Sequence, residues 1–483
     1  MIKNLVKDIA FYGFADFLVK ILAFFTFPIF AHLLSVQDYG ILSFAGIIAG
    51  FVSMFMTLGL NNAVQRFYFD ESFAENKRPA LVSTGYIILT IWSIILTLLF
   101  ILIAYIFRDY TLQKYQLPFS YLALALLANI PALLLTYSND TIRLHFKPVN
   151  FLKLSLCRNL SGVLLSIVLM KYYNMGLLGC FVGNLAAGLV FVPLGIYLTK
   201  KDTRLLWDSK IAKTIVKFGY PFVFAGLAYW IFGSMDRWML GQWSTMEQTG
   251  LYSIAFKMGS IVLFINSAFG QAWSPVAIKI MNEFPDTYKV LFSKLFTYWF
   301  AFLTLIGSVV SFFTLEFFHL TTPAPYWEAV NVSIWITMGL IISSTTQLTA
   351  IGISISKKTK YIIYITWITA GINFIMNLAL IPMYGAWGSA IATTFTYLTL
   401  SGGYLYMSQK VHWMPLQKTK LVIISCFLLA TTFLCLYLNG LTWSYYVVVY
   451  KVMWVGFMLF VFFYFKIIDI VQVKHVFYKK NYA

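Results

Sequence analysis

Fourteen apolar runs recur along the chain, each long enough as a helix to cross a lipid bilayer. A helix rises about 1.5 Å per residue and a hydrocarbon core is about 30 Å thick, so about 20 residues make one crossing. The runs lie near 10–32, 40–60, 80–107, 118–138, 152–171, 175–198, 215–240, 250–273, 291–315, 328–354, 361–381, 385–408, 419–438 and 444–466. Backbone polar groups have no water to bind inside lipid, so uninterrupted runs of this length read as helices. The predicted fold class is an all-α polytopic membrane protein with 14 transmembrane helices. Composition agrees: 60% of the 483 residues are hydrophobic and 11% charged, against about 45–50% and about 25% in soluble domains. The longest polar connections, 61–79 and 199–214, are too short to fold as separate domains. The N-terminus, MIKNLVKDIAFYG, enters the first run without a small-residue cleavage site and reads as a retained helix.

Charge placement sets the orientation. There are 35 Lys and Arg against 17 Asp and Glu, a balance that could suggest a nucleic-acid binder. Sorted by side, however, 27 cations fall at the N-terminus, the even-to-odd loops and the C-terminal tail, and only Arg108, Lys114 and Lys171 on the other side. Basic excess in short loops marks the cytoplasmic face, so both termini are predicted to be cytoplasmic and no nucleic-acid partner is expected. The remaining five, Lys20, Arg158, Arg237, Lys257 and Lys451, fall within crossings.

An internal repeat appears at an offset of about 207–210 residues. FYG at 11–13 is answered by FGY at 218–220, and Asp38-Tyr39-Gly40-Ile41 by Gln248-Thr249-Gly250-Leu251. The stretch from Tyr172 to Gly179 is answered by Pro382 to Gly388. Six helices per copy is even, so both copies enter from the same side, a parallel repeat of the kind found in transporters. The expected organisation is a six-helix lobe over 1–205, a second over 206–410, and helices 13–14 with a cytoplasmic tail over 411–483.

Charges within the crossings are the candidate functional groups, because an ionised side chain at bilayer depth is costly unless it faces protein or water. Asp16 and Lys20 are four apart and share a helix face; they form a neutralising pair or turn Lys20 towards an anion in a cavity. Arg158 either snorkels to the headgroups or turns inward, offering several donors to a phosphate. Arg66 is an interfacial arginine or part of an entry site at the cytoplasmic mouth. Asp236 and Arg237 lie near the outer end of the seventh crossing, and Asp236 could bridge to Lys257 on the eighth. Asn266, Gln271, Asn373 and Asn377 can line a hydrated path or bind neighbouring helices. Lys451 reads as packing or snorkelling, and Glu316, His319 and Glu328 as flanking a solvated outer turn. Five embedded cations against two carboxylates, Asp16 and Asp236, suit an anionic solute better than a cationic one.

No catalytic constellation is present. The sequence has no phosphate-binding loop and no HExxH, its five His are scattered, and its four Cys lack metal-ligand spacing. Neither an enzyme, a cofactor nor a bound metal is expected. With no ATPase in the chain, uphill movement would need an ion gradient, with Asp16 or Asp236 as the available proton or sodium site.

The chain resembles the polysaccharide transporter family, the Wzx-type flippases of O-antigen and capsule repeat units. These belong to a wider superfamily with multidrug/toxin extruders and lipid II flippases. The resemblance is carried by three marks: Tyr12-Gly13, Pro28, Leu33-Leu34-Ser35 and Asp38-Tyr39-Gly40; then Asp236-Arg237 with Gly250 to Ala255; and Tyr384 to Thr393. It implies a MATE-like fold of two six-helix lobes plus two helices, working by alternating access in a bacterial inner membrane. The implied cargo is an undecaprenyl-diphosphate-linked oligosaccharide for O-antigen, capsule or exopolysaccharide, with polymerase or chain-length machinery as partners. Lys20, Arg66, Arg158, Arg237 and Lys257 would then form the cationic cavity that holds the diphosphate. A proton- or sodium-coupled multidrug extruder of the same fold is the alternative.

Overall fold

A computed structural model describes residues 13, 18–22, 24–70, 75–441 and 445–467. Tyr12, Asp16 and the tail beyond residue 467 lie outside the described residues, as does the side chain of Gln271. Among the described residues every regular element is helical, and eleven helices are long and apolar enough to cross a membrane. By their contacts the residues divide into two compact units, Met1–Gly250 and Leu251–Ala483.

The first unit holds α1 (Phe27–Leu33), α2 (Val36–Thr57), α3 (Leu60–Tyr68), α4 (Arg78–Ile106), α5 (Arg108–Tyr115) and α6 (Phe119–Leu144). It continues through α7 (Pro148–Lys171), α8 (Leu177–Leu198), α9 (Ser209–Gly219) and α10 (Pro221–Trp243). A capping box starts α2: the Asp38 N–H donates to Ser35 Oγ at 3.1 Å, and the Ser35 N–H to Asp38 Oδ2 at 3.0 Å. Left-handed Leu58 and Gly59 end it, which re-aims the chain into α3. The short helix α9 is amphipathic. Its Ile211 and Ile215 join a core with Leu60, Ala63, Leu81 and Val82, while Lys210, Lys213 and Lys217 are exposed. The seventh crossing, α10, groups with this unit by lying on α2; Trp230 Nε1 donates to the Ile47 carbonyl at 3.2 Å.

Helix α11 (Met246–Glu283) begins in the first unit, and its start touches α2 through the two repeat-related glycines. A Cβ on Gly40 would fall 1.7 Å from the Met246 carbonyl oxygen, and one on Gly250 2.0 Å from that of Val36. Neither position admits a side chain. Val36 and Met246 are the same distance apart in sequence as Gly40 and Gly250, so the two copies use one another's backbone in the same way.

The second unit contains the rest of α11, then α12 (Tyr288–Thr321), α13 (Ala329–Ser344) and the short α14 (Thr346–Thr349) and α15 (Ile351–Ile355). It ends with α16 (Lys360–Val411), α17 (Lys418–Asn439) and α18 (Tyr445–Tyr464). The 52 residues of α16 are two helices joined at Gly385, whose φ 54° and ψ −130° lie outside helical space. Gly176, its counterpart in the first repeat, has φ 51° and ψ −138°. Both hairpins thus turn on one conformation that favours glycine. Within this unit α13 and α16 are joined by hydroxyls: Thr394 Oγ1 donates to the Trp335 carbonyl at 2.7 Å.

Candidate functional site

Arg158 is the embedded cation whose setting is most telling. Helix α7 begins at Pro148, earlier than the apolar run alone predicts, so Arg158 stands about 15 Å into a 24-residue helix. It shares a stripe with buried Leu154, Gly162 and Ser166, the face that packs on α8. Its Nη2 donates to Asn184 Oδ1 at 2.7 Å and its Nη1 to Asn159 Oδ1 at 3.2 Å. Asn159 in turn donates to the Ser155 carbonyl at 2.8 Å, and Asn139 Nδ2 to Ser155 Oγ at 3.3 Å. The guanidinium is therefore oriented by amides, and among the described residues no carboxylate pairs with it. A guanidinium has five donors; the two amides use two of them and leave the positive charge uncompensated.

The other predicted residues are distributed as follows. Lys20 is half-buried in the apolar segment leading to α1, and Asp16 lies outside the described residues. Arg66, at the end of α3, has a side chain 62% exposed and an ion pair with Asp70 at 3.2 Å. Nearby, Asn61 Nδ2 donates to Asp140 Oδ2 at 2.5 Å, and Asp140 pairs with Arg143 at 3.6 Å. In α10, Asp236 is buried and Arg237 half-buried, with Arg237 Nη2 donating to the Gly233 carbonyl of its own helix at 2.5 Å. Lys257 is half-buried in the second unit, eleven residues along α11.

The asparagines of the second unit bind other side chains of that unit. Asn373 Nδ2 donates to Thr396 Oγ1 at 3.1 Å, tying the two halves of α16 together, and Asn377 Nδ2 donates to Asn373 Oδ1 at 3.1 Å within the first half. Gln347 Nε2 donates to Asn266 Oδ1 at 3.4 Å.

Two buried charged pairs escape a linear reading. Lys451 does not snorkel: it is fully buried in α18, its Nζ 2.6 Å from Glu316 Oε1 on α12. Glu316 accordingly flanks no solvated turn, and its Oε2 is buried without a hydrogen bond among the described residues. In the first unit, His145 Nε2 and the Tyr68 hydroxyl both lie 2.6 Å from Asp202 Oδ2. Burial works to raise the Asp202 carboxyl. The hydrogen bonds from His145 and Tyr68, with the charges of His145 and Lys201, outweigh it and hold the group below the usual carboxylate range. This clasp gathers the ends of α3, α6 and α8, and its signal in the sequence is only that His145 and Asp202 sit in loops on the same basic side.

The helical order of the described residues is a fold shared with solved membrane transport proteins of the MOP superfamily. The fold is similar to that of "Lipid II flippase MurJ, inward closed conformation", with a TM-score of 0.67 and 15% identity, covering 95% of this chain and 99% of the other. An outward-facing multidrug resistance MATE family transporter of the MOP superfamily aligns at a TM-score of 0.56 and 14% identity, covering 84% and 95%. Its inward-facing counterpart aligns at 0.52 and 15%, covering 84% and 93%. Residues 5–281 match the polysaccharide biosynthesis protein family, and the chain belongs to that family. No curated protein sequence matches it. The fold neighbours named here are a lipid II flippase and multidrug resistance transporters.

Proposed function

We propose that the protein is a flippase that carries an undecaprenyl-diphosphate-linked oligosaccharide repeat unit from the inner to the outer leaflet of a bacterial inner membrane. The observation that carries this reading is Arg158: a guanidinium midway along a membrane helix, steered by Asn184 and Asn159 and, among the described residues, left without a carboxylate. A diphosphate supplies the missing anion and matches the planar fork of donors. The family match adds a polysaccharide pathway, and the solved flippase of the same fold is named for a lipid substrate.

In this reading the lobes 1–205 and 206–410 alternate access around the cargo, with helices 13–14 and a cytoplasmic tail appended. Both termini are cytoplasmic, which puts the basic loops where the lipid-linked sugar is assembled. Lys20, Arg66, Arg237 and Lys257 join Arg158 in the cationic path, and Asp16 or Asp236 takes the coupling proton or sodium ion. The product feeds O-antigen, capsule or exopolysaccharide polymerisation.

The test is leaflet-sensitive detection of lipid-linked oligosaccharide in cells that have no other flippase. Loss of the protein abolishes outward movement. Arg158→Ala lowers it about ten-fold or more, as removal of a charge-assisted bond does, and Arg158→Lys recovers only part because the fork is lost. Full movement in cells lacking the protein overturns the function; full movement in Arg158→Ala overturns the site. Drug efflux in the same cells, with sugar movement unaffected, would return the extruder.

A further inference from the structure

On the basic side of the first unit, three connections present large apolar side chains outward from a braced backbone. Phe69 and Phe146 are each 54% exposed, with ring centroids 6.2 Å apart. Leu205 is 82% exposed and Trp207 56%. Phe146 and Leu205 have φ of 53° and 54°, the left-handed region that bulky residues rarely occupy. A loop that merely met water would favour Gly or Asn at both positions.

The backbone is pinned in place. The Asp202 clasp ties this loop to Tyr68 and His145, the neighbours of Phe69 and Phe146. Ser83 Oγ donates to the Asp202 carbonyl at 2.9 Å and accepts from the Arg204 N–H at 2.8 Å. Thr84 Oγ1 accepts from the Asp208 N–H at 3.2 Å. Ser83 is five residues into the 29-residue α4, about 8 Å along it. That helix is about 13 Å longer than a hydrocarbon core, which sets the loop at the level of the headgroups.

The charges sort in the same sense. Lys200, Lys201, Arg204, Lys210, Lys213 and Lys217 are exposed. Both carboxylates of the segment are engaged: Asp202 in the buried clasp, and Asp208 as the N-cap of α9, accepting from the N–H groups of Lys210 and Ile211 at 2.8 and 3.1 Å. The outer surface is thus cationic, with apolar side chains in its midst. Such a surface fits an anionic bilayer face, where basic groups meet phosphates and apolar ones enter the acyl boundary.

We infer that the 199–219 connection, with Phe69 and Phe146, is a docking surface for anionic phospholipid headgroups of the surrounding membrane. It serves the linker between the two sequence repeats and is independent of the cargo.

The experiment uses the full-length protein in nanodiscs, with exposed Cys157 and Cys426 replaced by Ser and an environment-sensitive fluorophore at Leu205→Cys. Nitroxide is placed either on phosphatidylglycerol or on phosphatidylcholine, at equal mole fraction in otherwise identical bilayers. Quenching by the anionic lipid should exceed that by the zwitterionic one about five-fold for each lysine that reaches the phosphates. The preference should shrink in Lys210→Gln/Lys213→Gln/Lys217→Gln, and collapse to parity when Lys200→Gln, Lys201→Gln and Arg204→Gln are added. A label at Leu112→Cys, on α5 of the opposite side, should show parity throughout. Equal quenching by both lipids at Leu205→Cys overturns the inference, as does a preference that survives all six substitutions. Quenching by neither, the result expected of a surface for a soluble acidic partner, overturns it as well.

Discussion

The first unit buries a histidine against an aspartate in its loops, and the second buries a lysine against a glutamate between two membrane helices. Asp202 Oδ2 accepts from both His145 and Tyr68 at 2.6 Å, and the surrounding backbone is braced by Ser83. Glu316 places one oxygen on Lys451 at 2.6 Å and leaves the other buried without a hydrogen bond among the described residues. The loop pair sits at the edge of the unit, where a donor that loses its acceptor can turn to water. The helix pair has no such escape. An ammonium in hydrocarbon must be paired or re-solvated, so Lys451 fixes which face of α18 meets α12.

The largest effect follows from that difference. Lys451→Met leaves Glu316 charged and buried, and should cost about 3–5 kcal/mol, whereas Glu316→Leu/Lys451→Met should return to near the parent stability or exceed it. Thermal unfolding in detergent, followed by tryptophan fluorescence, measures both. If the single substitution is silent, Glu316 reaches water and the contrast between the two pairs dissolves.

Asp202→Asn should cost less, about 1.5–3 kcal/mol for hydrogen bonds to a charged group, since the amide keeps an acceptor oxygen for His145 or Tyr68. This prediction has a pH signature. The folded Asp202 carboxyl lies below its ordinary value, so its contribution is complete above about pH 4 and fades as pH falls through the lowered folded value. The gap in unfolding temperature between parent and Asp202→Asn should therefore be constant near neutrality and close in acid. A gap that persists unchanged well below pH 4 would mean that the carboxylate's charge is not what the clasp uses.

What the sequence made legible is set by what is local. Helices follow from apolar runs. The repeat is visible because backbone contact at Gly40 and Gly250, and positive φ at Gly176 and Gly385, each exclude a side chain. Embedded cations stand out from their apolar neighbours, which is how Arg158 and Lys451 could be singled out. Their partners could not be: Asn184 lies 26 residues from Arg158 and Glu316 135 residues from Lys451. Helical periodicity gives a face and a depth but not the neighbouring helix. The grouping of α10 with the first unit is of the same kind, since it depends on contacts with α2.

Arg66 supplies the smallest expected effect on stability and so the cleanest separation of folding from function. Its side chain is 62% exposed and its pair with Asp70 is a helical i,i+4 contact, an arrangement that contributes about 0–1 kcal/mol at most. Arg66→Ala should leave unfolding unchanged within error. If Arg66 belongs to an entry site for the diphosphate, the same substitution should lower leaflet translocation, and most strongly at low ionic strength, where an exposed charge is least screened. Loss of translocation without loss of stability would extend the functional surface from Arg158 to the mouth of α3. Unchanged translocation would confine it to cations within the membrane, leaving Arg66 and Asp70 as a solvated pair.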